Sequence, residues 1–390
     1  MGEPVIPRLP VFGWSSFSGC RGAGIPCLLD GEHLVLTTSG RAALLLALEA
    51  LGLGPGDRIL LPSYHCPTMV APAVELGATP VFYPLDVGGS PDLDRLRSTD
   101  MTGVKVLLAA HYFGLPIDMA ALRDWCSVQG IALIEDCAHA LFGVAGERSV
   151  GQWGDLAIGS LTKFYPVPEG GCLRYRPNDR PAALSRTPWV TELKALLDIA
   201  HTGAMFGRLH GLNTLIRGLF KLRRRLTQGK GARVPDDLPA GEPSSRDGMN
   251  IDTALAHRHL TLATSWMSRH LPRERIVAAR RTHYLAYVDA FSGVPGLHPL
   301  RPVLPEQCAP YVFPLWVDEP DPGYLELRRD GVPLSRWNWL WAESSPQHGD
   351  NGARWAHHVL QVPCHQDLDV DERRRIQECL IGKYRRGPAA

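Results

Sequence analysis

The stretch "VKVLLAAHYFGLPIDMAALRDWCSVQGIALIED", residues 104–136, decides the fold. It opens on VKVLLAA, an apolar run of strand length. It passes Gly114 and Pro116 into DMAALRDWCSVQ, whose apolar residues recur at three- and four-residue spacing until Gly130 stops them. IALIED is a second apolar run and ends on an acid. Strands that are apolar throughout, joined through a helix, predict parallel strands covered on both faces.

The same unit recurs on either side. Upstream, RILLPSY reads as a strand, TMVAPAVELGA as a helix ending at Gly77, and TPVFYPLD as the next strand. Before them, TTSGRAALLLALEALGLGPGD is a turn followed by an alanine- and leucine-rich helix, stopped by glycine and proline. Downstream, GDLAIGSLTK and GCLRYRP add strands. Residues 189–227 predict one long amphipathic helical stretch ending in FKLRRRL, and the polar, Pro/Gly-rich residues 228–247 a linker or mobile loop. From about 250, ALAHRHLTLATSWMSRHL predicts a helix leading into a second, ERIVAARRTHYLAYVDAF, with strand-like pieces such as YVFPLWV after it. The expectation is an α/β protein with a mostly parallel central sheet flanked by helices. Residues 1–245 would form the large domain, with a helical and loop insertion at about 180–245, and residues 246–390 a smaller α+β domain.

Composition narrows the function. The chain has 390 residues, 45% of them hydrophobic, and a formal net charge of +1. That supports a large core and argues against nucleic acid, which needs a basic excess or face. Nine cysteines lie without a C-x-x-C pair, which disfavours zinc and a disulfide framework and predicts a reducing, cytoplasmic setting. The segment MGEPVIPRLPVFGW lacks the pattern of a secretory leader, Ile6 breaks the myristoylation pattern, and no apolar run reaches bilayer length. The basic run KLRRRLTQGKGAR, residues 221–233, reads as a solvated helix face and tail, against an anionic membrane surface or a nucleotide diphosphate as alternatives.

Sheets of this kind bind ligands at the carboxyl ends of their strands, and chemistry-bearing residues fall at such ends. Ser39-Gly40-Arg41 opens the first apolar helix, where free amides and the positive helix end suit a phosphate. Asp136 ends IALIED, and a carboxylate buried there needs a partner such as a protonated ring nitrogen. Lys163, in SLTKFYPVPEGGCLRY, follows a strand on a turn, where burial would make its amine a nucleophile towards carbonyls. A phosphate cradle, a buried acid and an amine able to form a Schiff base make up the protein side of a pyridoxal 5′-phosphate site. No G-x-G-x-x-G opens a helix, so a dinucleotide site is not indicated.

These motifs are similar to those of the DegT/DnrJ/EryC1/StrS sugar aminotransferases, fold type I pyridoxal phosphate enzymes. The likeness runs from about residue 35 to 175, and more loosely from 245 to 380. SGRAALLLAL resembles the family's phosphate turn, HYFGLPIDMAALRDWC and IEDCAHALFG resemble its following blocks, and TKFYPVPEGG matches Lys–five residues–Glu-Gly-Gly. The resemblance implies that Lys163 is the Schiff-base lysine and general acid/base, that Asp136 is the ring-nitrogen acid, and that His139 lies near the cofactor. It implies that Ser160, two residues closer to the lysine than usual, contacts the phosphate. Arg41 stands where Thr is usual and would pair with phosphate directly. Cys66 stands where the family commonly stacks an aromatic, so its sulfur, or the neighbouring Tyr64 or His65, would take that place. RDGMNID resembles the segment whose Asn reaches the phosphate of the partner subunit. Asn250 is the match, with Asp252 where Arg is usual.

The tryptophans of RWNWLW are candidates for the substrate pocket. The implied activity is transfer of an amino group, usually from glutamate, to a keto-sugar, usually nucleotide-linked, by a cytoplasmic homodimer. The alternatives are a non-sugar ketone or aldehyde in natural-product or cyclitol biosynthesis, or a cofactor-binding protein without turnover. Sugar dehydration is disfavoured, because family dehydratases typically carry His where Lys163 stands.

Overall fold

The computed structural model describes residues 6–19, 24–227, 250–341 and 349–385, and side chains of all of these except 223–227. Nine strands come from the first half of the chain: β1 (Leu34–Thr37), β2 (Arg58–Pro62), β3 (Thr79–Tyr83), β4 (Val104–Ala110), β5 (Ala132–Asp136), the two-residue β6 (Val144–Ala145) and β7 (Arg148–Ser149), β8 (Leu156–Ser160) and β9 (Gly171–Arg174). Seven of them build the central sheet in the order β1-β9-β8-β5-β4-β2-β3. Every neighbouring pair from β3 to β8 is parallel, and β9 runs antiparallel between β8 and β1.

The apolar strands are buried on both faces, which is why they do not alternate. Val106 and Leu108 of β4 enter one core with Ile59, Leu61, Ile134 and Leu156, while Leu107 and Ala109 enter the other. Helix α1 (Gly40–Ala50) is buried continuously from Ala42 to Leu48, and α2 (Pro67–Glu75) packs beside it in the first core. Helices α3 (Leu93–Leu96) and α4 (Ala120–Gln129) complete the crossovers. Gly130 ends α4 in the left-handed conformation, φ 68°.

The remainder departs from the sequence expectation in two places. The long stretch 189–227 is two helices, α5 (Trp189–Met205) and α6 (Asn213–Thr227), broken by Gly207 and Gly211 at φ 74° and 87°. The helix expected from 250 is a single turn, α7 (Thr253–Ala256), then an extended piece, then α8 (Leu262–His270). Tertiary pairing overrides helix propensity in the extended piece: His259 bridges Thr37, Arg258 bridges Ser185, and the Thr261 amide bonds Glu169 at 2.7 Å. Pro272 then starts α9 (Arg273–Phe291). The strands β10 (Leu297–Pro299), β11 (Val312–Val317) and β12 (Val359–Pro363) form an antiparallel sheet, with α10 (Gly323–Arg329) and α11 (Asn351–His358) between β11 and β12 and α12 (Val370–Tyr384) after it. Tyr284, Tyr287 and Phe291 of α9 pack on Phe313 of β11, with ring centroids 4.9–5.8 Å apart. Among the described residues no helix is long and apolar enough to cross a membrane. The proposed linker, 228–247, and the basic run beyond Thr227 lie outside the described residues.

Candidate active site

Strand register brings the candidate residues to one edge. Asp136 pairs with Ala110 on β4 and Ile158 on β8, and Gly171 pairs with both Thr37 and Ser160. The carboxyl ends of β1, β4, β5 and β8 therefore line up along one rim of the sheet. A cleft of about 450 Å³ opens there, lined by Ser39, Gly40, Arg41, Cys66, Asp136, His139, Ser160, Lys163, Asn250 and Trp337 among others.

One end of the cleft is the start of α1. The Ser39 hydroxyl oxygen accepts from the Ala42 amide at 3.1 Å, so its own O–H remains to donate, and the amides of Gly40 and Arg41 have no intrahelical acceptor. The Ser160 and Thr162 hydroxyls lie 3.3 Å apart at the end of β8. The Gly170-Gly171 pair explains how this turn is held. A methyl at Gly171 would lie 2.3 Å from the Ser39 carbonyl carbon and 2.6 Å from the Gly40 nitrogen. Gly170, at φ 130°, donates its amide to the Thr38 carbonyl at 2.8 Å. Only glycine lets β9 run this close to the phosphate-type turn. Arg41 reaches across and donates to the Asn250 carbonyl at 2.6 Å, and the Thr38 hydroxyl donates to the Leu255 carbonyl at 3.1 Å. Asn250 thus lines the cleft of its own chain. Asp252 caps α7 by accepting from the Leu255 amide at 2.9 Å.

The other end holds the titratable groups. Asp136 is buried, and one carboxylate oxygen accepts from the Ala138 amide at 2.8 Å. Burial pushes its carboxyl up, opposed by the Lys163 charge and the Ala138 amide. Lys163 is half-buried, its ammonium 5.3 Å from the Tyr311 ring centre. Burial pulls its amine down, opposed by Cys66 and Asp136. His139 lies between Tyr311 and Trp337, with ring centroids 4.6 and 5.0 Å away, and its Nδ1 accepts from the Phe113 amide at 3.3 Å. Burial, then the Lys163 charge, hold it well below the usual histidine range, so it is neutral. Cys66 faces the cleft with its sulfur 2.8 Å from the Thr68 hydroxyl.

His65 is a correction to the sequence expectation. It is fully buried, stacked on Phe82 at 4.6 Å, with Nδ1 on the Pro62 carbonyl and Nε2 accepting from the Trp341 amide. Both ring nitrogens are committed away from the cleft, because the strand-to-helix turn points His65 and Cys66 in opposite directions. Tyr64 is likewise packed inside, against Trp337 and Trp355. Of the tryptophans in RWNWLW, Trp337 lines the cleft.

Sequence reasoning missed three contributors. Tyr311, at the start of YVFPLWV, abuts Lys163 and His139. Glu135 is buried and accepts from the amides of Gly151, Trp153 and Gly154 and from His111 Nε2, at 2.6–3.1 Å. Burial pushes its carboxyl up, yet the His111 and amide bonds outweigh this and hold it low. Arg280 of α9, fully buried, donates to the carbonyls of Lys163, Pro310 and Tyr311 and to the Gln366 side chain at 2.6–3.2 Å. The acidic doublet in IALIED was a signal for Glu135, whereas nothing local marks Tyr311 or Arg280.

The donor set fits a pyridoxal phosphate. Open amides and hydroxyls stand at one end, and a buried carboxylate short of partners at the other, with a depressed amine beside it. Comparison with known proteins places aminotransferases among those the chain is similar to. A sequence model described as the DegT/DnrJ/EryC1/StrS aminotransferase family matches residues 27–175. A dTDP-4-dehydro-2,3,6-trideoxy-D-glucose 4-aminotransferase of Saccharopolyspora spinosa is 37% identical over 146 residues, 37% of this chain and 38% of that one. An L-glutamine:2-deoxy-scyllo-inosose aminotransferase of Streptomyces kanamyceticus is 32% identical over 142 residues, 36% of this chain and 33% of that one. These matches span only about a third to two-fifths of the relatives' length. The fold likeness extends further: Helicobacter pylori PseC, an aminotransferase involved in pseudoaminic acid biosynthesis, superposes with a TM-score of 0.66 at 15% identity, over 98% of this chain and 99% of that one. Over residues 27–175, therefore, this chain is similar in sequence to the DegT/DnrJ/EryC1/StrS aminotransferase family, and across its length it shares the fold of the Helicobacter pylori structure.

Proposed function

We propose that this protein is a pyridoxal phosphate-dependent aminotransferase that moves an amino group from an amino acid, glutamate in the first instance, to a keto-sugar, the sugar part of a nucleotide conjugate in the manner of its relatives. One observation carries the reading: Lys163 and Asp136 lie on one cleft at the sheet's carboxyl edge, beside the open start of α1. The cofactor, when bound, supplies an electron sink for the substrate α-carbon's electrons. The amides of Gly40 and Arg41, the hydroxyls of Ser39 and Ser160 and the Arg41 guanidinium would hold its phosphate. The Asp136 carboxyl, held up by burial, would regain its charge against a protonated ring nitrogen. Lys163, with its amine depressed, would hold the cofactor through its aldehyde carbon and, once the donor's amine has displaced it, would carry the proton to and from the α-carbon. Neutral His139 and Trp337 would wall the ring, with Cys66 across from them. A homodimer and a cytoplasmic setting belong to this reading by family likeness.

The test is the visible absorbance of the purified protein with pyridoxal phosphate, before and after glutamate. The expected result is a visible band that shifts to shorter wavelength with glutamate and is absent from Lys163→Ala. A visible band retained by Lys163→Ala would overturn the lysine assignment. A second reading, transamination of a cyclitol or other non-sugar ketone, is favoured by Cys66, which lines the cleft where the family commonly stacks an aromatic, and by the likeness to the 2-deoxy-scyllo-inosose aminotransferase. A dTDP-keto-sugar and a cyclitol ketone, offered to the aminated enzyme, separate the two by which restores the visible band.

A further inference from the structure

Helix α6 stands on α5 and turns an apolar row away from it. Its inner side is pinned: Phe220 stacks on His201 at 4.0 Å, and Arg217 donates to the Ala204 and Met205 carbonyls at 2.7 and 2.9 Å. At 100° per residue the opposite side carries Leu215, Leu219 and Leu222, with Leu212 leading in. These are 60%, 57%, 54% and 40% exposed. A helix normally buries such a row. On α5, Trp189, Leu193 and Leu196 form a second exposed row, at four- and three-residue spacing.

Charge identifies what covers the leucines. Residues 213–227 carry Arg217, Lys221, Arg223, Arg224 and Arg225 and no acid. Lys221 is exposed, and the helix continues through the three arginines to Thr227. A second copy of this helix laid on the row would bring only further cations and no acid to meet them. A leucine face edged by lysine and arginine is instead the composition that lies in the interface of a bilayer bearing anionic headgroups.

We propose that the α5–α6 hairpin docks this protein peripherally on an anionic lipid surface, with the α6 leucines in the headgroup region and its cations on the lipid phosphates. This rests on the hairpin alone and is independent of the cleft chemistry. The experiment is co-sedimentation of the full chain with vesicles of phosphatidylcholine, with and without phosphatidylglycerol, at low and high salt. Binding to the anionic vesicles should exceed binding to the neutral ones by roughly tenfold or more and should collapse at high salt. The variant Leu215→Ser/Leu219→Ser/Leu222→Ser, altered only at exposed positions, should lose vesicle binding while its circular dichroism and thermal midpoint stay unchanged. Wild-type protein that ignores anionic vesicles overturns the proposal. So does a wild-type dimer that the triple variant converts to a monomer in light scattering, since the row would then belong between copies.

Discussion

Replacing Arg280 by Met keeps the length of the side chain and removes its donors. In the wild type the guanidinium holds Gln366 Oε1 at 2.9 Å, the Pro310 and Tyr311 carbonyls at 2.9 and 3.2 Å, and the Lys163 carbonyl at 2.6 Å, all in a buried setting. These acceptors stay behind when the arginine goes, so the substitution differs from exchanging a whole ion pair for apolar residues, which is often neutral. Each stranded acceptor costs about 1–3 kcal/mol. Some of that is returned, because the buried cation is itself costly: burial pushes Arg280 down to about 10, worth about 3 kcal/mol. At about 1.5 kcal/mol for each of the four acceptors, less about 3 kcal/mol returned, the net loss is about 3 kcal/mol, a fall of roughly 4 °C in thermal midpoint for a chain of 390 residues. Differential scanning fluorimetry of the full chain reads it. The same bonds tie the Lys163 turn to α9 and β11, so the substitution should also weaken pyridoxal phosphate binding, read by titrating the visible band. Arg280→Lys, which keeps a donor and the charge, should fall between the two. A methionine variant melting within about 1 °C of wild type, with unchanged cofactor titration, would refute the reasoning, because the carbonyls would then have other partners.

The remaining predictions concern the turn, the acid and the histidines. Gly171→Ala puts a methyl 2.3 Å from the Ser39 backbone, so β9 or the turn must move. About 1–3 kcal/mol of stability should go, with a larger proportional loss of cofactor affinity by titration. Asp136→Asn, nearly isosteric, should leave the melting midpoint close to wild type, because the cost of burying the carboxylate goes while an amide oxygen can still accept from Ala138, but should slow the glutamate-driven spectral change by orders of magnitude. A variant that reacts at the wild-type rate would remove Asp136 from the site. Burial, the largest cause in each case, holds His65 and His283 down to about 4 and His365 to about 3. Between pH 6.5 and 4 the unfolded chain binds protons there that the folded chain does not, so stability must fall on acidification, by about 1 kcal/mol per histidine per pH unit. Urea melts at pH 7.5 and 5 check it, and His365→Gln should flatten the difference.

Local pattern was enough for the large sheet. Strands buried on both faces must be apolar throughout, and glycines must end the helices between them, so VKVLLAA, IALIED and the helix between them were legible without their neighbours. The same holds for residues fixed by their place on an element. Ser39 opens α1, Asp136 ends β5, and Lys163 sits on the turn after β8, so strand register alone put them on one rim. What local pattern could not carry was direction and distant partners. Whether His65 or Cys66 faces the cleft depends on the packing of Phe82 and Trp341, the latter 276 residues away. The expected helix after 250 gives way where His259 and Thr261 find partners on Thr37 and Glu169. Tyr311 and Arg280 reach Lys163 from a sheet and a helix more than a hundred residues downstream. Periodicity is set by neighbours one turn or one pleat away, and says which face of an element is buried. What that face meets is settled only when the elements pack.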